Sequence, residues 1–182
     1  IEKEASAQGY NILPCFSDEA LEKEKSILEM LSQGNVDGIL MSLSKESQTE
    51  QYFDHVNSLI SNGIPVTLFD RVDDHIVCDK VIINDFDSTY NSTKLLLNSG
   101  ARNILFVSPI STTTIGKNRF RGYAFALREK GNLKENVLHI EEYKDFSDDL
   151  TRILKADKID AIIAANELTG ISAVNIATRL GF

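Results

Sequence analysis

One structural unit recurs along the chain: an amphipathic helix, a glycine, a short turn and a compact apolar strand. In the segment 48–62, for example, Val56, Leu59 and Ile60 recur at a spacing that places them on one face of a helix. Gly63 follows this segment, where glycine adopts the left-handed conformation of a helix end without steric cost. The same pattern predicts helices near residues 19–32, 48–62, 86–99, 117–130, 146–155 and 168–180.

Short segments rich in Val and Ile separate these helices. They are apolar on successive residues, which is typical of parallel strands that are covered by helices on both faces. The regular alternation of helix and strand therefore predicts a doubly wound α/β fold with right-handed crossovers. The predicted strands are 10–15, 38–41, 65–69, 80–83, 103–107, 137–140 and 161–164.

Polar residues follow each of the predicted strands. In open parallel sheets, ligands bind at the carboxyl ends of the strands, so these positions are candidates for a binding site. A polar residue after a strand can instead cap the next helix. Because every strand end carries such a residue, the sequence predicts one polar cleft. The residues are Ser17 and Asp18, Ser42 to Ser44, Asp70 and Arg71, Asn84 and Asp85, Ser108 and Pro109, Tyr143, and Asn166 and Glu167.

The charge of the chain argues against nucleic acid as its direct ligand. The 182 residues carry a net charge of -8, and acidic and basic residues are interspersed without a run of Lys or Arg. An acidic surface repels a phosphate backbone. No apolar stretch approaches the roughly 20 residues of a membrane span, so no membrane partner is expected. Cys15 and Cys78 match no metal or redox spacing, and reduced thiols are expected for them, although a disulfide is geometrically allowed.

Motifs for catalysis, cofactors and metals are absent from the sequence. It contains no dinucleotide-binding glycine motif, no phosphate-binding loop and no Gly-x-Ser-x-Gly elbow. His55, His75 and His139 lie in no pattern that positions a nucleophile or a metal. Asp73-Asp74-His75 is compatible with a metal ligand set, but the alternative of a solvated loop is favoured because no second ligand group accompanies it. We therefore expect a protein that is not an enzyme and binds no cofactor and no metal.

Five segments, in this order, resemble the LacI/GalR family of transcription repressors and, more loosely, the periplasmic sugar-binding proteins of the same fold. Each alone is a weak signal, but their order along the chain is specific. They are Val36-Asp37-Gly38-Ile39, Ile64-Pro65-Val66 closed by Asp70-Arg71, Gly100-Ala101-Arg102-Asn103-Ile104, Arg119-Phe120-Arg121-Gly122-Tyr123, and Ala165-Asn166-Glu167.

This resemblance implies two doubly wound parallel-sheet subdomains of the type I periplasmic-binding-protein-like fold. Their boundary is expected near residue 84, with an N-terminal subdomain at 1–84 and a C-terminal subdomain at 85–182. Both are expected to be incomplete, because the chain opens at Ile1 without Met and is interpreted as truncated at both ends. The family further implies a cytoplasmic homodimer with a small-molecule effector, a carbohydrate or related metabolite, in the interdomain cleft. DNA would be bound by an N-terminal helix-turn-helix that lies outside this chain.

The resemblance also implies roles for single residues. Arg119 matches the arginine that hydrogen-bonds the effector, and a planar guanidinium suits vicinal hydroxyls or a carboxylate. Glu167 stands where the family usually has an effector-binding aspartate, next to Asn166. Asp70 matches the cleft aspartate, and Arg71 is interpreted either as its partner in an internal brace or as a ligand contact.

Four further candidates rest on position alone. Ser17, Asp18 and Tyr143 follow predicted strands, and Phe16 is interpreted either as a surface that stacks on a sugar or, preferentially, as a residue buried in the sheet. Two other functions are alternatives: a periplasmic sugar-binding protein of a transport system, and an enzyme on a flavodoxin-like scaffold. The segment Gly100-Ala101-Arg102-Asn103-Ile104 favours the regulator over the transport protein, and the missing catalytic motifs disfavour the enzyme.

Overall fold

The computed structural model describes residues 1–34, 36–141 and 144–182. Within these ranges the chain alternates between helices and strands, as the sequence predicts. The elements are α1 (Glu2–Ala7), α2 (Leu21–Leu31), β1 (Ile39–Met41), α3 (Lys45–Glu50), α4 (Asp54–Ser61), β2 (Val66–Phe69), β3 (Asp79–Val81), α5 (Asp85–Asn98), β4 (Ile104–Ser108), α6 (Thr114–Glu129), β5 (Asn136–His139), α7 (Ser147–Ala156), β6 (Ala161–Ala164) and α8 (Glu167–Arg179).

The chain forms two compact units, Ile1–Lys80 and Val81–Phe182. In the first, the strand order is β1-β2-β3, and β1 runs parallel to β2 with Ile39 opposite Val66. Leu28 of α2, Val56 of α4 and Leu68 of β2 are buried together in its core. The amphipathic faces of the two helices therefore cover the sheet, as their spacing predicts.

In the second unit, β4 lies at the centre of a sheet of order β5-β4-β6, and both neighbours run parallel to it. All five residues of β4 are buried, because helices cover both of its faces. Ile104 and Phe106 contribute to one core with α5 and α6, and Leu105 and Val107 contribute to a second core with α7 and α8. This arrangement confirms the predicted fold of parallel sheets and crossover helices.

Gly122 sets the distance between α5 and α6. A Cβ atom at this position would lie 2.3 Å from the carbonyl oxygen of Phe86 and 2.9 Å from the backbone nitrogen of Tyr90. Both distances are far below van der Waals contact, so only glycine allows the two helix backbones to approach this closely. The Arg-x-x-Gly pattern of the sequence thus joins Arg119 to a helix contact three residues later.

Two predicted elements differ from the structure. The predicted strand at 10–15 is wrong, because none of these residues forms a strand and Tyr10 and Leu13 are largely exposed. A strand needs a neighbour to bond its backbone, and no strand of the described chain pairs with this segment. The predicted helix at 48–62 is two helices, because Gln51 adopts a left-handed conformation (φ 56°) between α3 and α4.

Candidate functional site

Arg119 of α6 contacts the start of α5 and the end of β6. Its Nε–H donates to Oδ1 of Asp85 over 2.7 Å, and its Nη1 donates to the carbonyl of Ala165. Asp85 is the first residue of α5, and Ala165 directly follows β6. One side chain therefore connects the start of α5, the helix after β4 and the end of β6.

Arg119 retains capacity to bind a ligand. A guanidinium has five N–H donors, and the two described contacts use only some of them. The Arg119 side chain is 22% exposed, whereas that of Asp85 is 6% exposed. The buried carboxylate fixes the guanidinium, and the partial exposure of the Arg119 side chain leaves it able to donate to oxygen atoms of a ligand.

A cavity of about 470 Å³ lies beside the strand ends of this unit. Residues after all three strands line it: Pro109 after β4, Ile140 after β5 and Asn166 after β6. The structure therefore brings these strand ends together, as the sequence predicts. The volume of the cavity lies within the range of roughly 300–1,000 Å³ that is typical of small-molecule sites.

Asn166 has a structural role in addition to its place in this cavity. Its Oδ1 accepts a hydrogen bond of 2.9 Å from the backbone N–H of Thr169, so the side chain caps α8. Glu167 begins α8 and is exposed, with no hydrogen bond to another described residue. The amide nitrogen of Asn166 and the carboxylate of Glu167 are both left for other partners.

In the first unit, Arg71 pairs with Glu19. Its Nη1 donates to Oε2 over 2.5 Å and its Nη2 donates to Oε1, a two-point contact between the two side chains. The backbone N–H of Lys45 donates to Oε2 of the same carboxylate over 2.8 Å. Burial raises the pKa of Glu19, but the bonds from Arg71 and Lys45 outweigh it and hold the pKa below its usual value. Arg71 thus links the loops after β1 and β2 to the segment before α2.

The other candidates of the first unit lie at its surface. Asp70 is exposed in a left-handed conformation (φ 59°), and Asp18 forms an ion pair with Lys23. Ser17 is half-buried, and its carbonyl accepts the N–H of Ala20. The preferred interpretation of Phe16, burial in the sheet, is wrong, because its side chain is 73% exposed and no strand forms beside it. Tyr143 lies outside the described residues.

Sequence reasoning missed the carboxylates that position the arginines. The sequence marks Asp85 as a polar residue after a predicted strand but not as a partner of Arg119, and Glu19 carries no signal because its partner is distant in sequence. It also missed a buried polar cluster formed by Glu24, His55, Ser44 and Ser47. Oε1 of Glu24 lies 2.7 Å from Nε2 of His55 and accepts from Oγ of Ser47 over 2.6 Å, while the N–H of Ser44 donates to Oε2 over 2.6 Å.

The loop at Asp73-Asp74-His75 is closed by its own contacts. Oδ1 of Asp73 lies 2.7 Å from Nδ1 of His75 and accepts the backbone N–H of that residue. In the part of the chain that the structure describes, no three His, Cys, Asp or Glu side chains are grouped to hold a metal ion. None of the described helices has the length and apolar character that crossing a membrane requires.

A family model described as "Periplasmic binding proteins and sugar binding domain of LacI family" matches residues 1–182. The chain belongs to this family. Arg119 and Gly122 lie in α6 of this LacI-family domain, and Asn166 is the N-cap residue of α8. The resemblance to the LacI/GalR family is thereby confirmed.

Two proteins with sequences similar to this chain are transcription regulators. The chain is 27% identical over 184 residues to the HTH-type transcriptional regulator DegA of Bacillus subtilis (strain 168), covering 100% of this chain and 54% of that protein. It is 28% identical over 188 residues to the HTH-type transcriptional repressor PurR of Pasteurella multocida (strain Pm70), with the same two coverages. The chain thus spans about half the length of the curated relatives it matches.

Solved structures show the same fold. The transcription regulator CcpA of Lactococcus lactis superimposes with a TM-score of 0.77 at 25% sequence identity, over 97% of this chain and 64% of that chain. The LacI-family domain therefore has the type I periplasmic-binding-protein-like architecture predicted from the sequence.

Proposed function

We propose that this chain is the effector-sensing domain of a bacterial DNA-binding transcription regulator and binds a sugar or a related small metabolite. The observation that carries the proposal is Arg119, which the buried carboxylate of Asp85 holds beside the end of β6 while part of its side chain stays exposed. The family description, which names a sugar-binding domain, supports the class of ligand.

The chemistry of the site suits a hydroxylated ligand. A fixed guanidinium donates to vicinal hydroxyl oxygens or to a carboxylate in defined geometry. The free amide nitrogen of Asn166 donates as well, and the carboxylate of Glu167 accepts from hydroxyl groups. Asp70 remains a proposed ligand contact because it follows β2. Ser17, Asp18 and Tyr143 remain proposed contacts that rest on the sequence alone.

A regulator is favoured over a transport protein because the sequence relatives named above are transcription regulators. In this proposal the protein is cytoplasmic and acts without catalysis. DNA binding is assigned to an N-terminal helix-turn-helix outside this chain, since the chain itself is acidic. Ligand binding would change the arrangement of the DNA-binding segments, so the effector site and the DNA-binding site would be thermodynamically linked.

The proposed homodimer uses the exposed apolar face of α8. Leu168, Ile171 and Val174 repeat every three residues and are 64%, 53% and 65% exposed. Their spacing places them on one side of the helix, where a contiguous apolar surface favours a protein partner. A second copy of the chain supplies the same surface, as a two-fold interface requires.

Calorimetry and thermal-shift measurements on the full-length protein test the ligand proposal. A panel of mono- and disaccharides and their phosphates should contain a binder, and Arg119→Met should weaken it at least about tenfold, because charge-assisted bonds are lost. Arg128→Met is the matched control, since Arg128 lies on the same helix with its guanidinium over Phe125. Unchanged affinity in a folded Arg119→Met variant would exclude this residue from the site.

Two further measurements test the regulator and the dimer. In a gel-shift titration, the identified ligand should change the affinity of the full-length protein for promoter DNA, and no DNA binding at any ligand concentration would favour the transport protein.

Ile171→Glu should lower the mass measured by analytical ultracentrifugation to that of a monomer. Leu95→Glu, at a 68% exposed apolar position on α5, should leave the mass unchanged.

A further inference from the structure

A second cavity lies in the Val81–Phe182 unit on the β5 side of the central strand. It encloses about 300 Å³ between the sheet and the first turns of α6. The sheet contributes Phe106 of β4 and His139 at the end of β5, and the helix contributes Lys117, Phe120 and Arg121. Ser111, in the loop between β4 and α6, completes the lining.

The floor of this cavity is aromatic and firmly packed. Phe106 is 1% exposed, and its ring lies 5.9 Å from that of Phe120 in an edge-on arrangement. The opposite neighbour of Phe106 is the buried ring of Tyr123, 5.2 Å away and stacked on it. Such aromatic packing provides a preformed apolar surface that can receive a planar group.

The rim of the cavity is basic. Lys117 and Arg121 are exposed one helical turn apart, where two positive charges repel each other. His139 faces them from the end of β5 as a third nitrogen-bearing side chain. No carboxylate among residues 1–34, 36–141 and 144–182 forms an ion pair with any of the three, and the described contact of Arg121 is a long hydrogen bond of 3.4 Å to Asn118.

The lack of a described ion pair at Lys117 and Arg121 contrasts with the pairing of Arg71 and Arg119. Arg71 and Arg119 each have a carboxylate partner, in a chain with a net charge of -8. An unneutralised basic rim around an apolar cavity is complementary to an anion with an apolar body.

The cavity is separate from the Arg119 site. The strand order β5-β4-β6 puts the two neighbours of β4 on opposite sides. Arg119 contacts Ala165 after β6, whereas Lys117 and Arg121 face the end of β5. A ligand can therefore bind at the second cavity without using the contacts that hold Arg119.

We propose that this cavity is a second binding site, which takes a small organic anion: a phosphate or carboxylate attached to an aromatic or other planar apolar group. The anionic group is bound by Lys117, Arg121 and the Ser111 hydroxyl, and the planar group lies against Phe120, which packs on the buried ring of Phe106. The volume matches the lower end of the roughly 300–1,000 Å³ range of small-molecule sites. The proposal is independent of the effector proposed above.

Titration of the full chain with phenyl phosphate, inorganic phosphate and phenol tests this site by calorimetry and by amide chemical shifts in NMR spectra. Phenyl phosphate should saturate and bind at least about tenfold more tightly than either fragment, because it uses both the rim and the floor. The largest shifts should occur at Lys117, Arg121 and His139. Failure of phenyl phosphate to bind, or affinity equal to that of inorganic phosphate, would overturn the proposal.

Variants then locate the binding. The double substitution Lys117→Gln with Arg121→Gln should lower the affinity for phenyl phosphate at least about tenfold, and the exposure of both side chains should preserve the fold. Arg128→Gln, on the same helix, is the control and should bind as the parent does. If the double variant binds equally well, or if the shifts occur at Ala165 and Asn166 instead, the second site does not exist.

Discussion

The Nε–H of Arg119 donates to Oδ1 of Asp85 over 2.7 Å, and the carboxylate is the more deeply buried of the two groups. The arginine is therefore positioned before any ligand arrives. A preorganised donor loses less side-chain freedom on binding than a mobile one, which favours affinity and specificity. The same relationship makes Arg119 part of the folding energetics of the domain.

Removal of Arg119 should destabilise the protein as well as weaken binding. Arg119→Met leaves the Asp85 carboxylate buried without its partner, which should lower the free energy of unfolding by about 3 kcal/mol. Asp85→Asn in the same background removes the unpaired charge and should restore part of this loss. Urea unfolding of both single variants and the double variant gives the coupling energy. Additive effects of the two substitutions would show that the pair contributes nothing to stability.

Gly122→Ala should separate α5 from α6. The new Cβ would lie 2.3 Å from the carbonyl oxygen of Phe86, so the backbones must move apart at a cost of about 1–3 kcal/mol or more. Gly170→Ala is the matched control on α8, since its Cβ would meet Ala164 at an ordinary 3.6 Å. Because alanine favours the helix by about 1 kcal/mol over glycine, this control should be neutral or stabilising in thermal unfolding. Equal melting temperatures for the two variants would contradict the close helix contact.

The buried carboxylate of Glu24 should make stability depend on acid pH. Burial raises its pKa, but hydrogen bonds from His55, Ser47 and the backbone of Ser44 outweigh burial and lower the pKa below 4.5. A lowered pKa means that the carboxylate stabilises the fold at pH values above 4.5, and this contribution is lost as the pH falls through the lower pKa of the folded state.

Urea unfolding at pH values between 7 and 3 measures this effect. Glu24→Gln should be less stable than the parent at pH 7, and the difference should shrink as the pH falls below 4.5. Glu29→Gln, at an exposed position of the same helix, should follow the parent throughout. A difference between Glu24→Gln and the parent that stays constant with pH would refute the assignment.

Two substitutions of Asn166 should distinguish its capping of α8 from its proposed contact with the ligand. Asn166→Ala removes the cap of α8 and should cost about 1 kcal/mol, whereas Asn166→Ser retains a capping oxygen and should cost little. Both substitutions remove the amide nitrogen that is proposed to donate to the ligand. Calorimetry should therefore show weakened effector binding in both variants. Loss of binding in Asn166→Ala alone would indicate that only the cap matters.

The alternation of helices and strands was enough to predict most of the fold. The predicted strand at 161–164 coincides with β6, and the predicted helix at 86–99 differs from α5 by one residue at each end. These elements succeed because their apolar periodicity is local and agrees with their packing. The segment 10–15 failed because its strand character depends on a backbone partner, which apolar residues alone do not supply.

The candidate site was predictable only in part. Arg119 is predicted from its family-like segment, and Asn166 both from such a segment and from its place after a predicted strand. The carboxylate partners of the arginines are not predicted: Asp85 lies 34 residues before Arg119, and Glu19 lies 52 residues before Arg71. Such pairs form through the tertiary fold, and a single sequence contains no periodicity that reports them. The basic cavity at His139 was missed for the same reason, since β5 and α6 supply its rim from separate segments.

Tyr123 of α6 forms hydrogen bonds at the amino ends of β4 and β5, opposite the carboxyl ends that lie near the candidate site. Its buried hydroxyl lies 2.9 Å from the carbonyl of Ile104 and 3.0 Å from the N–H of Asn136, so one α6 side chain ties the first residues of β4 and β5. Strand alignment is thus secured far from the loops that meet a ligand. If those loops bind the proposed metabolite, mutations in them can alter ligand specificity without disturbing the alignment of the strands, so related domains can diversify in what they sense on an unchanged sheet.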